Sequence, residues 1–168
     1  DKPGGFGSQD IYRSYRKHTR DDFGWETPEN LGPGINTADP DFGAAFLAND
    51  DTGIPTLNFG RRTDFGDADI FLSELQPDGT FGPGALVAEL SEPDSDELRP
   101  TLRPNGLEAF FNSNRTGSLG LNDVWSSTRA SIFEPWSDPV RVPIINTASQ
   151  EQFPALSADG ETLIFSSN

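Results

Sequence analysis

Two sets of carboxylates recur along this chain, and residues of this type can ligate a hard cation or work in pairs. Asp10, Asp69 and Asp123 each stand three residues after a glycine (Gly7, Gly66, Gly120) and each opens an apolar run, Asp10-Ile11-Tyr12, Asp69-Ile70-Phe71 and Asp123-Val124-Trp125. Asp41, Glu97 and Glu151 form a second set, each heading another short apolar segment. Calcium wants about 6–8 oxygen ligands, and glycoside hydrolysis needs two carboxyl groups roughly 5–9.5 Å apart in a cleft. Acids spaced a whole repeat apart supply isolated carboxylates instead. The denser groups, Asp64-Asp67-Asp69 and Glu92-Asp94-Asp96-Glu97, match no EF-hand loop. Asp10, Asp69 and Asp123 are therefore expected to accept hydrogen bonds from backbone N–H groups of their glycine-rich loops. No resident metal or cofactor is expected, a loosely held surface calcium being the alternative. Asp41, Glu97 and Glu151 have two readings: an acidic ring on the innermost strands that binds a cation or basic peptide, or structurally paired acids.

Other chemistry is poorly supplied. His18 is the only histidine, and it lies in the polar run Arg16-Lys17-His18-Thr19-Arg20. No Gly-x-Ser-x-Gly elbow accompanies it, so it reads as a surface residue. Gly4-Gly5-Phe6-Gly7 is followed by neither a helix pattern nor Lys-Ser/Thr and does not read as a phosphate loop. Trp25 and Trp136 occupy matching repeat positions, with Phe81 in the third, which predicts packing between sheets and not a sugar-stacking platform. Arg61, Arg62, Arg99 and Arg115 read as exposed loop arginines near one face, where they are candidates for contacting a partner.

The net charge of −15 at neutral pH opposes nucleic acid and anionic membrane as partners, because phosphate recognition needs a basic face. Without cysteine, disulfides, thiolate chemistry and cysteine-bound zinc are excluded. No apolar run approaches the ~18 residues of a membrane-spanning helix. A chain that begins at Asp1 and has no Met reads as a trimmed, processed or excised piece. Seventeen Gly and fourteen Pro suit many short strands and tight turns, and thirteen Phe supply the apolar bulk.

The elements that must position these residues repeat three times. Gln152–Ser157, the turn Ala158-Asp159-Gly160 and Glu161–Ser166 read as a hairpin; Arg99–Arg103, Pro104-Asn105-Gly106 and Leu107–Phe111 repeat it. Asp-Gly and Asn-Gly between apolar runs favour tight turns because glycine reaches positive φ without a Cβ clash. The first copy has a longer turn, Ala48–Gly53, before Ile54–Phe59. A glycine-rich loop follows each hairpin, then a third strand (Asp10–Arg16, Asp69–Leu75, Asp123–Thr128). A fourth opens with an aromatic residue and a proline, at Trp25–Pro28, Phe81–Pro83 and Trp136–Pro139. Proline lacks an N–H and belongs at a sheet edge. Apolar spacing near two excludes helices. Each repeat is then a four-stranded antiparallel sheet, a propeller blade. The expected layout is an all-β β-propeller forming a single domain over residues 1–168. Its blades cover about 38–92, about 93–148, and a split blade of 149–168 plus 1–37.

Glu151-Gln152-Phe153-Pro154-Ala155-Leu156-Ser157-Ala158-Asp159-Gly160, with Leu163–Asn168 and Asp10-Ile11-Tyr12, resembles the Pro-Asp variety of WD-like propeller repeats, the TolB-like family of bacterial envelope proteins. Glu97, Pro100 and Asn105-Gly106 match the same pattern, whereas the first copy departs from it with Asp41, Ala44 and Pro55. The resemblance implies a periplasmic or extracellular binding or scaffold module that engages a protein, peptide or glycan through one propeller face or the central channel. The alternative is a carbohydrate-active hydrolase or lyase using channel carboxylates. Three blades are fewer than the roughly 4–8 of a propeller. The expected solutions are a six-bladed ring made by a homodimer, a segment of a longer propeller, or three sheets packed as a prism.

Overall fold

The computed structural model describes residues 4–48, 52–63 and 66–168. The chain is all-β, and two of its four sheets are four-stranded and antiparallel, as the blades of a β-propeller are. The first complete sheet contains β3 (Asp41–Leu47), β4 (Thr56–Arg62), β5 (Ala68–Glu74) and β6 (Ala85–Leu86), paired in that order. The second repeats it with β7 (Glu97–Leu102), β8 (Glu108–Ser113), β9 (Asp123–Thr128) and β10 (Val140–Arg141). Two half-sheets flank them: β1 (Tyr12–Arg13) with β2 (Glu29–Asn30), and β11 (Glu151–Leu156) with β12 (Leu163–Ser167).

Turn chemistry closes the hairpins as their residues dictate. Gly106 and Gly160 take φ of 69° and 77°, and Asn105 Oδ1 and Asp159 Oδ1 accept the N–H of Leu107 and Glu161 at 3.0 Å each. The fourth strands are only two residues long, starting at or just after Pro28, Pro83 and Pro139, where the missing N–H ends any inward continuation of the ladder. The turn residues Asn49, Asp50 and Asp51, along with Asp64, lie outside the described residues.

The register aligns the repeats. Asp41 faces Arg61, Glu97 faces Ser113 and Glu151 faces Ser167 across the first two strands. Phe59, Phe111 and Phe165 consequently hold one position. The core lies between sheets. One cluster joins Ile70 and Leu90 to Ala109, Phe111, Trp125 and Trp136; another joins Ile11 to Ile35, Leu57, Phe59 and Phe81. Strand β7 packs against β3 on one side and β11 on the other, so these three form the innermost row.

Among the described residues the two half-sheets do not pair with each other: β12 pairs only with β11, and β1 only with β2. The outer half-sheet is also poorly covered. Trp25, expected between sheets, is 55 % exposed and carries the Arg16 guanidinium 4.8 Å over its ring, whereas Trp136 is buried as expected. The difference follows from the missing inner strands: Trp136 belongs to a complete sheet and Trp25 does not.

Candidate functional site

The second set of acids is brought to equivalent places, but into the protein. Asp41, Glu97 and Glu151 are all within 1 % of full burial, so they do not form an open acidic ring. Each carboxylate turns back to the loop ahead of its strand. Asp41 Oδ2 accepts the Thr37 N–H at 2.7 Å, Glu97 Oε2 that of Glu92 at 2.9 Å, and Glu151 Oε2 that of Thr147 at 2.9 Å. A buried carboxylate needs such donors, because burial without them costs several kcal/mol (~) in lost solvation.

Two of the acids also hold an arginine. Arg61 Nε lies 2.7 Å from Asp41 Oδ1, and a terminal Arg61 nitrogen donates to the Ile35 carbonyl at 2.7 Å. In the next sheet Ser113 occupies the place of Arg61 and donates to Glu97. The cation arrives two residues later. Arg115 reaches Glu97 Oε1 at 3.0 Å and the Leu90 carbonyl at 2.5 Å. Both guanidiniums sit over equivalent ring pairs, Arg61 over Phe59 and Phe71, Arg115 over Phe111 and Trp125. Of the four arginines expected in exposed loops, Arg115 is therefore buried, Arg61 is nearly so within β4, and Arg62 and Arg99 also lie in strands, β4 and β7. Burial pushes the Glu97 carboxyl up from its ordinary value against the hydrogen bonds of Glu92 and Ser113 and the charge of Arg115. Among the described residues Glu151 has no arginine; Thr147 and Ser167 hydroxyls donate to it instead.

Two acids of the first set, Asp10 and Asp123, anchor their glycine-rich loops as expected, whereas Asp69 is not seen to accept a loop N–H among the described residues. Asp10 accepts the N–H groups of Phe6 and Gly7 at 2.8 and 3.0 Å, and Asp123 those of Leu119 and Gly120 at 2.9 and 3.1 Å. Gly7 and Gly120 lie against the backbone of the loops before β3 and β11, where a Cβ would overlap the Thr37 and Ser149 carbonyl oxygens. Gly66 has a φ of 99°, in the region that favours glycine. Asp69 faces Ser91, and burial raises its pKa despite that contact. Arg62 and the Ala68 N–H are both taken by Asp96. Among the described residues no three acids or histidines converge in a way that would hold a metal ion.

What remains open is the inner-strand face. Each inner strand has a register shift, between Phe42 and Ala45, Leu98 and Thr101, and Gln152 and Ala155. In every case its third residue is left-handed: Gly43 at φ 63°, Arg99 at 53° and Phe153 at 57°. A bulge there re-aims a side chain out of the sheet. A side-chain-bearing residue in this conformation costs roughly 1–2 kcal/mol relative to right-handed backbone. Arg99 and Phe153 meet: the guanidinium lies 3.8 Å from the ring centroid, and the ring is 46 % exposed. Gly43 is what admits Arg99, since a Cβ there would sit 3.0 Å from Arg99 Cγ. Clefts flank Arg99 on both sides. One, of about 290 Å³, is lined by Gly43, Ala44, Ala45, Pro100, Thr101, Phe153 and Pro154. The other, of about 260 Å³, is lined by Gln9, Pro40, Phe42, Arg62 and Leu98.

Two parts of this site were missed in the sequence. Three different residue types, Gly, Arg and Phe, hide the repeated bulge, although each stands two places after its acid. Ile35-Asn36-Thr37 and Ile145-Asn146-Thr147 are a plain sequence repeat, and it is the signal for the second part. Asn36 Oδ1 accepts the Ile11 N–H and its amide donates to the Ile11 carbonyl, and Asn146 does the same to Val124.

No family model matches this sequence, and no curated protein matches it. Among solved structures, TolB from Acinetobacter baumannii aligns with a TM-score of 0.47 and 14% identity, over 85% of this chain and 41% of that chain. The chain thus spans about two fifths of the length of that protein.

Proposed function

We propose that this chain is a non-catalytic binding module of the bacterial envelope or the extracellular space, and that it engages a protein or peptide through the inner-strand face of its blades. The observation that carries this is the row of left-handed residues Gly43, Arg99 and Phe153, two of which hold large side chains in a backbone conformation they resist. Strain of this kind persists only where the surrounding structure imposes it, and it concentrates at working surfaces. Three further observations turn the reading away from a hydrolase: the acids are buried in separate sheets, each is filled by internal donors, and no two face one another across a cleft among the described residues.

The test is selection of displayed random peptides on the folded chain, followed by hydrogen exchange of the complexes. Slowed exchange at 41–47, 97–102 and 151–156 is the expected result. Peptides that protect the outer strands instead would overturn the reading.

The assembly we propose is a six-bladed ring closed by two copies. It is supported by the free edges of β1 and β12 and by the half-exposed state of the divided sheet. A cleft lined by Tyr12, Tyr15, Phe46 and Leu57 lies on the side of the first sheet where an inner hairpin would pack, as β7 packs on β3, β4 and β5. Light scattering should give twice 18.3 kDa, and Ile164→Glu on the free edge should return it to a single chain mass. A wild-type monomer at every concentration would remove the closed ring.

A further inference from the structure

Arg99 is unlike the other arginines of the second and third inner strands and their loops. Among the described residues it makes no hydrogen bond and no ion pair; its guanidinium is held by the Phe153 ring alone. Lys17 and Arg20 also make no ion pair among the described residues, but they are exposed in a surface loop, whereas Arg99 is half-buried. In a chain of net charge −15, an arginine shielded from every carboxylate is an arrangement and not a default. The clefts on either side of it repeat the point, for neither is lined by Asp or Glu.

Resting on the binding reading above, we propose that Arg99 receives a carboxylate of the bound peptide, the side chain of an Asp or Glu lying along the inner strands. A guanidinium presents parallel N–H donors that match the two oxygens of a carboxylate. Stacking on Phe153 fixes the plane of that fork in advance, which reduces the ordering cost on binding. The left-handed backbone lifts Arg99 off the sheet, and Gly43 leaves the space it enters. The walls beside it (Phe42, Leu98, Pro100, Pro154) are apolar and suit the methylene stem of an acidic side chain. Arg62 lines the same region, but Asp96 and the Gly66 carbonyl already occupy it.

Two measurements test this. The first follows the arginine Nε–Hε resonances during titration with sodium acetate or sodium phosphate at constant ionic strength, with the Arg99 signal identified by its loss in Arg99→Lys. A saturable shift confined to Arg99 and larger with acetate is expected. No shift, an equal drift of all arginines, or tighter saturation by phosphate overturns the carboxylate assignment. The second is a cycle on a selected peptide. Replacing its acid by the amide should weaken binding to the native chain about 10–100-fold, the range for a hydrogen bond to a charged group. It should weaken binding to Arg99→Gln less than threefold (~), with Arg99→Lys intermediate. An equal loss in all three backgrounds overturns the proposal. Peptides that protect the inner strands but carry no acid would remove this assignment and leave the binding face intact; peptides that protect other strands would remove the binding face itself.

Discussion

Phe111 and Phe165 occupy the same place in neighbouring sheets, and so do Glu97 and Glu151, yet their surroundings are unlike. Phe111 is fully buried between β7, β9 and the first sheet, as Phe59 is in its own sheet; Phe165 stays half-exposed because no third strand lies beside β12. Glu97 is held by Arg115, which itself rests on Phe111 and Trp125. Glu151 keeps the loop-anchoring half of the arrangement and lacks the cation. A blade of this kind therefore has two separable parts. The hairpin with its acid cap forms from local residues, and the ion pair with its stacked rings needs the outer strands.

The sharpest way to break the comparison is to truncate the two rings. Phe111→Ala should cost about 3–5 kcal/mol in denaturant unfolding, the range for emptying a large core site. Phe165→Ala should cost far less in the monomeric chain, and equal losses would show that the two sheets are packed alike. Arg115→Ala comes next. Removing one partner of a buried pair costs roughly 3–5 kcal/mol where the remaining charge is uncompensated, and the donors left on Glu97 from Glu92, Ser95 and Ser113 place the expected loss near the lower bound. A loss below ~1 kcal/mol would mean that those donors alone suffice, as they do at Glu151.

Smaller effects test the inner row. Gly43→Ala forces a side chain into left-handed backbone and against Arg99, and should destabilise by about 1–2 kcal/mol. Arg99→Gly relieves the same conformation and should be neutral or stabilising by under ~1 kcal/mol, while weakening binding of an acid-bearing peptide about 10–100-fold. Thermal melts of the two variants in parallel decide it; a shift in the same direction would refute the account of strain.

The smallest effect is in pH. Burial raises Glu97 above the ordinary 4.5, so the folded state holds that proton more tightly than the unfolded one. Its contribution to stability grows as pH falls through the raised folded value toward 4.5. Glu151 goes the other way. Burial would raise it, but the Thr147 N–H and the Ser167 and Thr147 hydroxyls outweigh burial and lower it. Its contribution is present above 4.5 and is lost as pH falls through the lower folded value. The stability–pH curves of Glu97→Gln and Glu151→Gln should therefore depart from the parent curve in opposite senses, and departures of the same sign would show the two acids to be equivalent.

Much of the architecture was legible in advance. Asp10, Asp69 and Asp123 set the third strand, Pro28, Pro83 and Pro139 the edge, and Asn105-Gly106 and Asp159-Gly160 the turns, because each depends on local backbone chemistry. The side-chain network was not. Arg61 and Arg115 sit at different distances from their acids in sequence and converge only once β4 and β8 are laid beside β3 and β7. Asp41 and Glu97 differ by one methylene, and the cation moves with that difference. Trp25 and Trp136 look alike as residues before a proline, and their fates diverge because one sheet is divided. The bulge at Gly43, Arg99 and Phe153 was masked by its differing side chains, since what repeats there is the backbone conformation and not the residue type.

Asn36 and Asn146 have an effect beyond their own sheets. Each offers an amide oxygen and an amide N–H to one residue of the third strand, Ile11 or Val124, where the two-residue fourth strand has run out. The amide oxygen thus stands in for a ladder acceptor and occupies an N–H that would otherwise template an incoming strand from another molecule, the Ile11 and Val124 carbonyls being already met by the Leu31 and Val142 N–H groups. The Ile11 and Val124 N–H groups are thus closed to an incoming strand, whereas β1 and β12 each keep one side that pairs with no strand among the described residues. In the two-copy ring proposed above, β1 and β12 are the edges that meet, in one ordered seam.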